Sequence, residues 1–313
     1  MFNLFAKTLN IFTKTVIKKQ PPCIFEHDSM KDEFEKTLMA GSTAQVTILG
    51  LPSDKYSSFL RGAADGPPAV REVLFSPAGN LWTEGGVDLG ANGNLSDLGD
   101  VELTDDMDHF KRIEGSVKLL TTLGKKPIFL GGDHYITWPI ISTLSRSHPG
   151  LTILHFDAHP DLYNEFDGKK ESHATPFARI MEKRHARRLL QVGVRGITGH
   201  LREQARRFGV DIFEMRYLVE KPDLRLSGDV YISFDLDVLD PAHAPGVSQH
   251  EAGGMTVRHA LSIIQSIDPK RAPIVGADVV ELNPSRDVSG ITAAAAAKIV
   301  KEIAGKMLES MKR

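Results

Sequence analysis

Seven short apolar runs, separated by segments of helical periodicity, constrain this chain more than any other feature. They lie at 46–50, 127–130, 151–156, 189–194, 210–213, 230–234 and 274–280. Helical patterns occupy 107–123, 136–148, 175–186 and 255–266, and the alanine-rich stretch from Thr292 to Lys312 is a strong helix former. Strands that are apolar along their whole length are buried on both faces, and the intervening helices supply the covers. The pattern predicts an α/β fold built on a mostly parallel sheet. No repeat, low-complexity tract or Pro/Gly linker divides the chain, so 41–313 reads as one domain of the 313-residue sequence. In such a sheet, ligands bind beyond the carboxyl ends of the strands, which is where chemistry is to be sought.

Composition removes several classes of function. Lys and Arg total 38 against 40 Asp and Glu, a formal charge of −2, so no nucleic-acid or anionic-membrane partner is expected. No apolar run approaches the roughly 18–20 residues of a membrane span. A single cysteine, Cys23, excludes an intrachain disulfide framework and a thiolate-rich metal site. A metal here would be held by His and carboxylates, which suit harder ions such as manganese.

Residues 1–40 stand apart. The first 22 carry Lys7, Lys14, Lys18 and Lys19 and no acidic residue, with apolar positions Phe2, Phe5, Leu9, Phe12 and Val16 on one helical face. A cationic, acid-free amphipathic leader is the form of a mitochondrial presequence, although this one lacks arginine. The alternative is an N-terminal helix lying on the domain surface. The first reading predicts the mitochondrial matrix, the second the cytoplasm.

Three strand ends carry clustered ligand-type residues. The run 127–130 ends in Gly131-Gly132-Asp133-His134, and 151–156 enters Asp157-Ala158-His159-Pro160-Asp161. The run 230–234 enters Asp235-Leu236-Asp237 and then Asp240-Pro241. Residues two apart on extended chain point the same way, so Asp157, His159 and Asp161 can converge, as can Asp235 and Asp237. His134 alone would be a loop histidine, and Asp-x-Asp alone a cap or turn, as Asp240-Pro241 is read to be. Their joint occurrence at three strand ends differs in kind. Four carboxylates and two imidazoles at one place demand cations, and two bridging carboxylates suit a pair of divalent ions roughly 3.5–4 Å apart.

GGDH at 131–134, HFDAHPD at 155–161 and SFDLDVLDPAHAPG at 233–246 resemble the three signatures of the ureohydrolase family, the arginases and agmatinases. The resemblance runs from about Val46 to the C-terminal helix. SSFLRGAADGPPAVRE (57–72), ARRLLQVGVR (186–195) and IVGADVVELNPSRD (274–287) are most similar to the plant-type, agmatinase-like arginases. Tyr135 departs from the pattern, which usually has Ser after the metal-binding His.

The resemblance implies an arginase-like fold, three α/β/α layers around a roughly eight-stranded sheet. It also implies two Mn2+ per subunit. His134 and Asp161 resemble ligands of one ion, His159 and Asp237 of the other, with Asp157 and Asp235 as bridges. Two dications lower the pKa of a shared water and so supply the hydroxide that a guanidinium carbon, a poor electrophile, needs. Glu281 resembles the carboxylate that binds the guanidinium, and His173 the histidine that relays protons at the cleft mouth. Without the resemblance these two are a strand-end charge and a loop histidine. Asp161 is the expected proton donor to the departing amine. His155 and Asp278 are read as supporting residues. The loop 162–172 should face the far end of the substrate, with Asn164 a candidate contact. The expected reaction is hydrolysis of L-arginine to ornithine and urea, with agmatine, or another guanidino acid, as the alternative substrate. A non-catalytic metal-bound paralogue is a remote alternative. A homotrimer or homohexamer is implied by the resemblance alone.

Overall fold

The computed structural model describes residues 44–91, 93–218 and 221–311. Eight strands form one sheet: β1 (Val46–Leu51), β2 (Leu95–Asp100), β3 (Lys126–Gly131), β4 (Thr152–Phe156), β5 (Arg188–Val194), β6 (Asp211–Glu214), β7 (Val230–Asp235) and β8 (Ile274–Val280). Their order is β2-β1-β3-β8-β7-β4-β5-β6, and every neighbouring pair is parallel.

Helices cover both faces: α1 (Gly66–Leu74), α2 (His109–Thr122), α3 (Thr137–Leu144), α4 (Pro176–Glu182), α5 (Gly199–Phe208), α6 (Val257–Gln265) and α7 (Ile291–Glu309). Alternation along β1 sends Val46 and Ile48 to one face and Leu49 and Leu51 to the other. The first face packs against α1, α6 and α7 through Val70, Ile263, Ile299 and Ile303. The second packs against α2–α5 through Ile113, Ile140, Phe177 and Leu201. The three-layer expectation therefore holds, and both cores are built of buried apolar side chains. Helix entry is fixed locally: Asp108, Thr198 and Thr256 accept from the backbone N–H of Lys111, Leu201 and His259 at the starts of α2, α5 and α6.

Three elements were absent from the sequence reading. Strand β2, Leu-Ser-Asp-Leu-Gly-Asp, is an edge strand paired only with β1, so one side needs no apolar neighbour. Its Asp97 and Asp100 instead receive Arg71 of α1. Helix α5 is rich in charge because it rests one narrow face on the core. Helix α1 starts at Gly66-Pro67-Pro68, where fixed φ angles favour the first helical turn.

The strand order places the carboxyl ends of β3, β8, β7 and β4 side by side. Among the described residues no helix is long and apolar enough to cross a membrane. The leader at 1–40 and Cys23 lie outside the described residues.

Candidate active site

Each of the four central strands ends in a functional residue. After β3 the chain turns sharply through Gly131-Gly132, and only glycine fits the second position. A Cβ on Gly132 would lie 1.9 Å from the Ser53 carbonyl oxygen and 2.5 Å from its carbon. This close approach lets Gly132 N–H donate to Leu51 O and Asp133 N–H to Ser53 O, delivering His134 to the cleft floor.

His134 is fully buried, and its Nδ1 faces three carboxylates: Asp235 at 3.1 Å, Asp157 at 3.2 Å and Asp161 at 3.3 Å. Its Nε2 lies 2.9 Å from Ser233 Oγ. That hydroxyl gives its one proton to Asp278 Oδ1 at 2.7 Å, so it must accept from Nε2–H. Burial opposes charge on this ring, yet Asp157, Asp161 and Asp235 around Nδ1 hold it protonated well above the usual imidazole range. A divalent cation among these carboxylates would take the place of that proton, with Nε2–H still held by Ser233. Asp278 Oδ2 also accepts from Thr137 and Tyr231 at 2.9 and 2.8 Å, which fixes the whole support.

The second imidazole is His159, whose Nδ1 is 2.9 Å from Asp237 Oδ2 and 3.5 Å from Asp157 Oδ1. Gly196 leaves room for this ring: a Cβ there would meet His159 Cδ2 at 2.7 Å. Asp235 Oδ1 accepts from Asp237 N–H at 2.8 Å, and Asp237 Oδ1 accepts from Ala158 N–H at 3.0 Å, linking the β7 and β4 clusters. The six residues expected at the metal centre thus stand together. Asp157, His159 and Asp237 offer ligand atoms within 4.8 Å of one another, as do His134, His155 and Asp157.

His155 joins that second group by position, but its hydrogen bonds assign it a different part. Gln191 Nε2 must face Pro160 O at 2.6 Å, so its remaining proton goes to His155 Nδ1 at 3.0 Å. His155 therefore carries its proton on Nε2 and donates to Asp157 Oδ2 at 2.8 Å, holding that carboxylate from behind. Gln191 was not visible in the sequence, because it comes from β5 and meets His155 only through strand register.

The electrostatics carry the same message. Burial together with the charges of Asp237 and Asp157 drives the Asp235 carboxyl well up. Burial and Asp157 push Asp237 up to about 6. Burial opposes charge on His159, yet Asp237 and Asp157 hold it up to about 12. A cluster that binds protons this strongly is short of positive charge, and its oxygen-rich donor set fits hard divalent cations.

Glu281 follows β8 and is buried, its φ of +67° in the left-handed region. Asp161, at φ +49°, shares this unusual geometry. Such conformations cost about 1–3 kcal/mol each and persist where the surroundings dictate them. Glu281 N–H donates to Gly132 O at 2.8 Å, and its Oε1 accepts from His134 N–H at 2.9 Å. His173 Nδ1 is 3.5 Å from the same oxygen; burial opposes its charge, but Glu281 raises it to about 9. Both line a narrow polar cleft with His159, Asp161, Asp235 and Asp237.

Asn164 does not line this cleft. Its Oδ1 accepts from Arg179 at 3.3 Å, so the guanidinium of α4 takes the polar group expected to face substrate. Tyr135, the departure from the family pattern, is fully buried and stacks on Tyr56 with ring centroids 3.6 Å apart. Asp240 is the turn it was read to be, accepting from the N–H groups of Ala242, Gly253 and Gly254.

Four adjacent strand ends converging on a carboxylate–imidazole cluster, with a separate buried carboxylate above it, define a metal-dependent hydrolase site. The chain belongs to the arginase family, the ureohydrolases that act on guanidino compounds, whose family model matches residues 44–305. A mitochondrial arginase of Medicago truncatula is 44% identical over 301 residues, covering 91% of this chain and 88% of the relative. An agmatinase of Bacillus anthracis is 34% identical, covering 86% and 94%. The solved structure of the Medicago truncatula arginase superposes with a TM-score of 0.80 at 43% identity, covering 88% of this chain and 92% of that one.

Proposed function

We propose that this enzyme hydrolyses L-arginine to ornithine and urea, using two Mn2+ per subunit. The observation that carries the reading is the buried Glu281 carboxylate held beside His173 and above the Asp/His cluster. His134 and Asp161 would hold one ion and His159 and Asp237 the other, with Asp157 and Asp235 shared. Bound there, the ions supply a water of lowered pKa and hence hydroxide at neutral pH.

The protein's own groups do the rest. Glu281 takes two parallel N–H bonds from the guanidinium and fixes its carbon for attack. Asp161 carries a proton from the attacking oxygen to the departing nitrogen. His173 delivers the further proton that turns the released amine into an ammonium ion. The buried cleft keeps bulk water from competing for these bonds.

The loop 162–172 would face the substrate's far end, where Lys169, Lys170 and Ser172 suit a carboxylate. Greater identity to the arginase than to the agmatinase supports arginine. Glu165, Asp167 and Glu171 in the same loop suit a bare cation, which keeps agmatine as the second reading. Urea release from arginine, agmatine and 4-guanidinobutyrate, measured side by side with added manganese, decides it. Turnover of agmatine alone would overturn the substrate and leave the chemistry.

We also infer that residues 41–313 form one catalytic domain that assembles as a homotrimer or homohexamer, and sedimentation showing a stable monomer would refute the assembly. Residues 1–40 are proposed to direct the chain to the mitochondrial matrix, a reading supported by the mitochondrial name of the Medicago relative. An uncleaved leader on the protein isolated from cells would return it to the cytoplasm.

A further inference from the structure

We propose that Ser58 positions His173 and connects it to solvent as a proton relay; the inference rests on the role given to His173 above. Ser58 Oγ lies 2.7 Å from His173 Nε2, while the ring's other nitrogen, Nδ1, faces Glu281 Oε1. The imidazole therefore spans the cleft wall, with one nitrogen inside and one outside. His173 is 8% exposed, whereas Ser58 is exposed, so the hydroxyl stands between ring and water.

An exposed serine makes a poor partner unless the chain beside it is held, and here the two residues before it are. Asp133 Oδ2 accepts from Tyr56 N–H at 2.9 Å and from Ser57 Oγ at 3.3 Å. Tyr56 O accepts from His173 N–H at 3.1 Å, which joins the loop after β1 directly to the histidine. Tyr56 is further fixed by its stack on Tyr135. Outside Ser58 lies a cleft of about 640 Å³, lined by Lys55, Ser57, Phe166, Lys170 and Ser172 among others, wide enough to hold water.

A hydroxyl can serve either tautomer, since it has one proton and two lone pairs. Glu281 holds the free ring charged. Once a bound guanidinium pairs with that carboxylate, the ring is neutral with its proton on Nδ1, and Nε2 accepts from Ser58 Oγ–H. As Nδ1–H passes to the neutral product amine, Nε2 takes the serine proton, and solvent restores the proton on Oγ. The ring is left neutral with its proton on Nε2. It resets when Nδ1 takes the proton released by the next attacking water and Nε2–H leaves through Ser58 to solvent. One proton enters and one leaves per turnover, matching the hydrolysis of a guanidinium to urea and an ammonium ion.

The test is steady-state kinetics of Ser58→Ala and Ser58→Thr with the substrate that wild type turns over, in weak and strong buffer. Ser58→Ala is expected to lose about tenfold in kcat, with KM within about twofold of wild type. Its metal content and melting temperature should be unchanged. Ser58→Thr, which keeps the hydroxyl, should recover most of the rate. Added imidazole should accelerate Ser58→Ala in proportion to its concentration and leave wild type unaffected. An unchanged kcat in Ser58→Ala, a loss explained by missing metal, or a threonine variant as slow as alanine would each overturn the relay. A wild-type protein that releases no urea from any guanidino compound would instead remove the hydrolase reading itself.

Discussion

The main-chain N–H of His134 donates to Glu281 Oε1 across 2.9 Å, tying the end of β3 to the end of β8. The bond runs from backbone to carboxylate and bypasses the imidazole, so Glu281 is oriented without being part of the ligand cluster. Glu281→Ala should therefore keep its full metal content and lose urea release by about 10²–10³-fold or more, because the guanidinium is no longer aligned. Metal analysis beside the activity assay checks this, and loss of metal in Glu281→Ala would show that the carboxylate belongs to the cluster.

The opposite result is expected at the shared carboxylates. Asp235→Asn and Asp157→Asn retain the shape of the side chain and remove its charge, and each position is proposed to support two cations. Both variants should be purified depleted in metal, with urea release at background. Full metal occupancy in either would require a different assignment of the six residues.

Ser233 sets the tautomer of His134 from outside the cluster. Ser233→Ala leaves Nε2–H of His134 without its acceptor at a fully buried site. The expected cost is about 1–3 kcal/mol in stability and a roughly ten- to hundredfold weaker metal affinity. Denaturant unfolding and a metal titration measure the two effects separately, and wild-type affinity would mean that Nδ1 needs no such fixing.

Much of this was legible beforehand, and the reasons differ by element. Six strands announce themselves because burial on both faces leaves mostly apolar, β-branched residues. Strand β6, at one edge, shows only through Ile212 and Phe213, whereas β2, at the other edge, conceals itself behind Asp97 and Asp100. The cluster at 157–161 and 235–237 could be read because its members are near in sequence and share a strand phase. Ser58, Gln191 and the tie between His134 N–H and Glu281 join residues 36 to 147 positions apart. Such pairs follow from sheet order and loop packing, which residue spacing does not encode. Asn164 shows the converse: its type suited a substrate contact, but Arg179, one turn into α4, claims its oxygen.

Gly132 tests the backbone on its own. The added methyl of Gly132→Ala would collide with the Ser53 main chain, which has no side-chain freedom with which to give way. A stability loss of more than about 3 kcal/mol is expected, or failure to accumulate as soluble protein. A variant that melts within a few degrees of wild type would mean that the loop after β1 can move aside.

The order β3-β8-β7-β4 also has a consequence for how the chain is made. When synthesis has passed β4, β5 and β6, the strands that will flank the middle of the sheet exist, but the two that join them do not. Until residues 230–280 emerge, β3 and β4 carry unpaired hydrogen-bonding edges and uncovered apolar faces, features that invite association with other chains. The His and Asp residues that follow β3 and β4 are likewise held apart until the last quarter of the polypeptide inserts between them. A nascent chain of this topology exposes those edges through most of its translation, and its clustered His and Asp residues come together only when it is nearly complete.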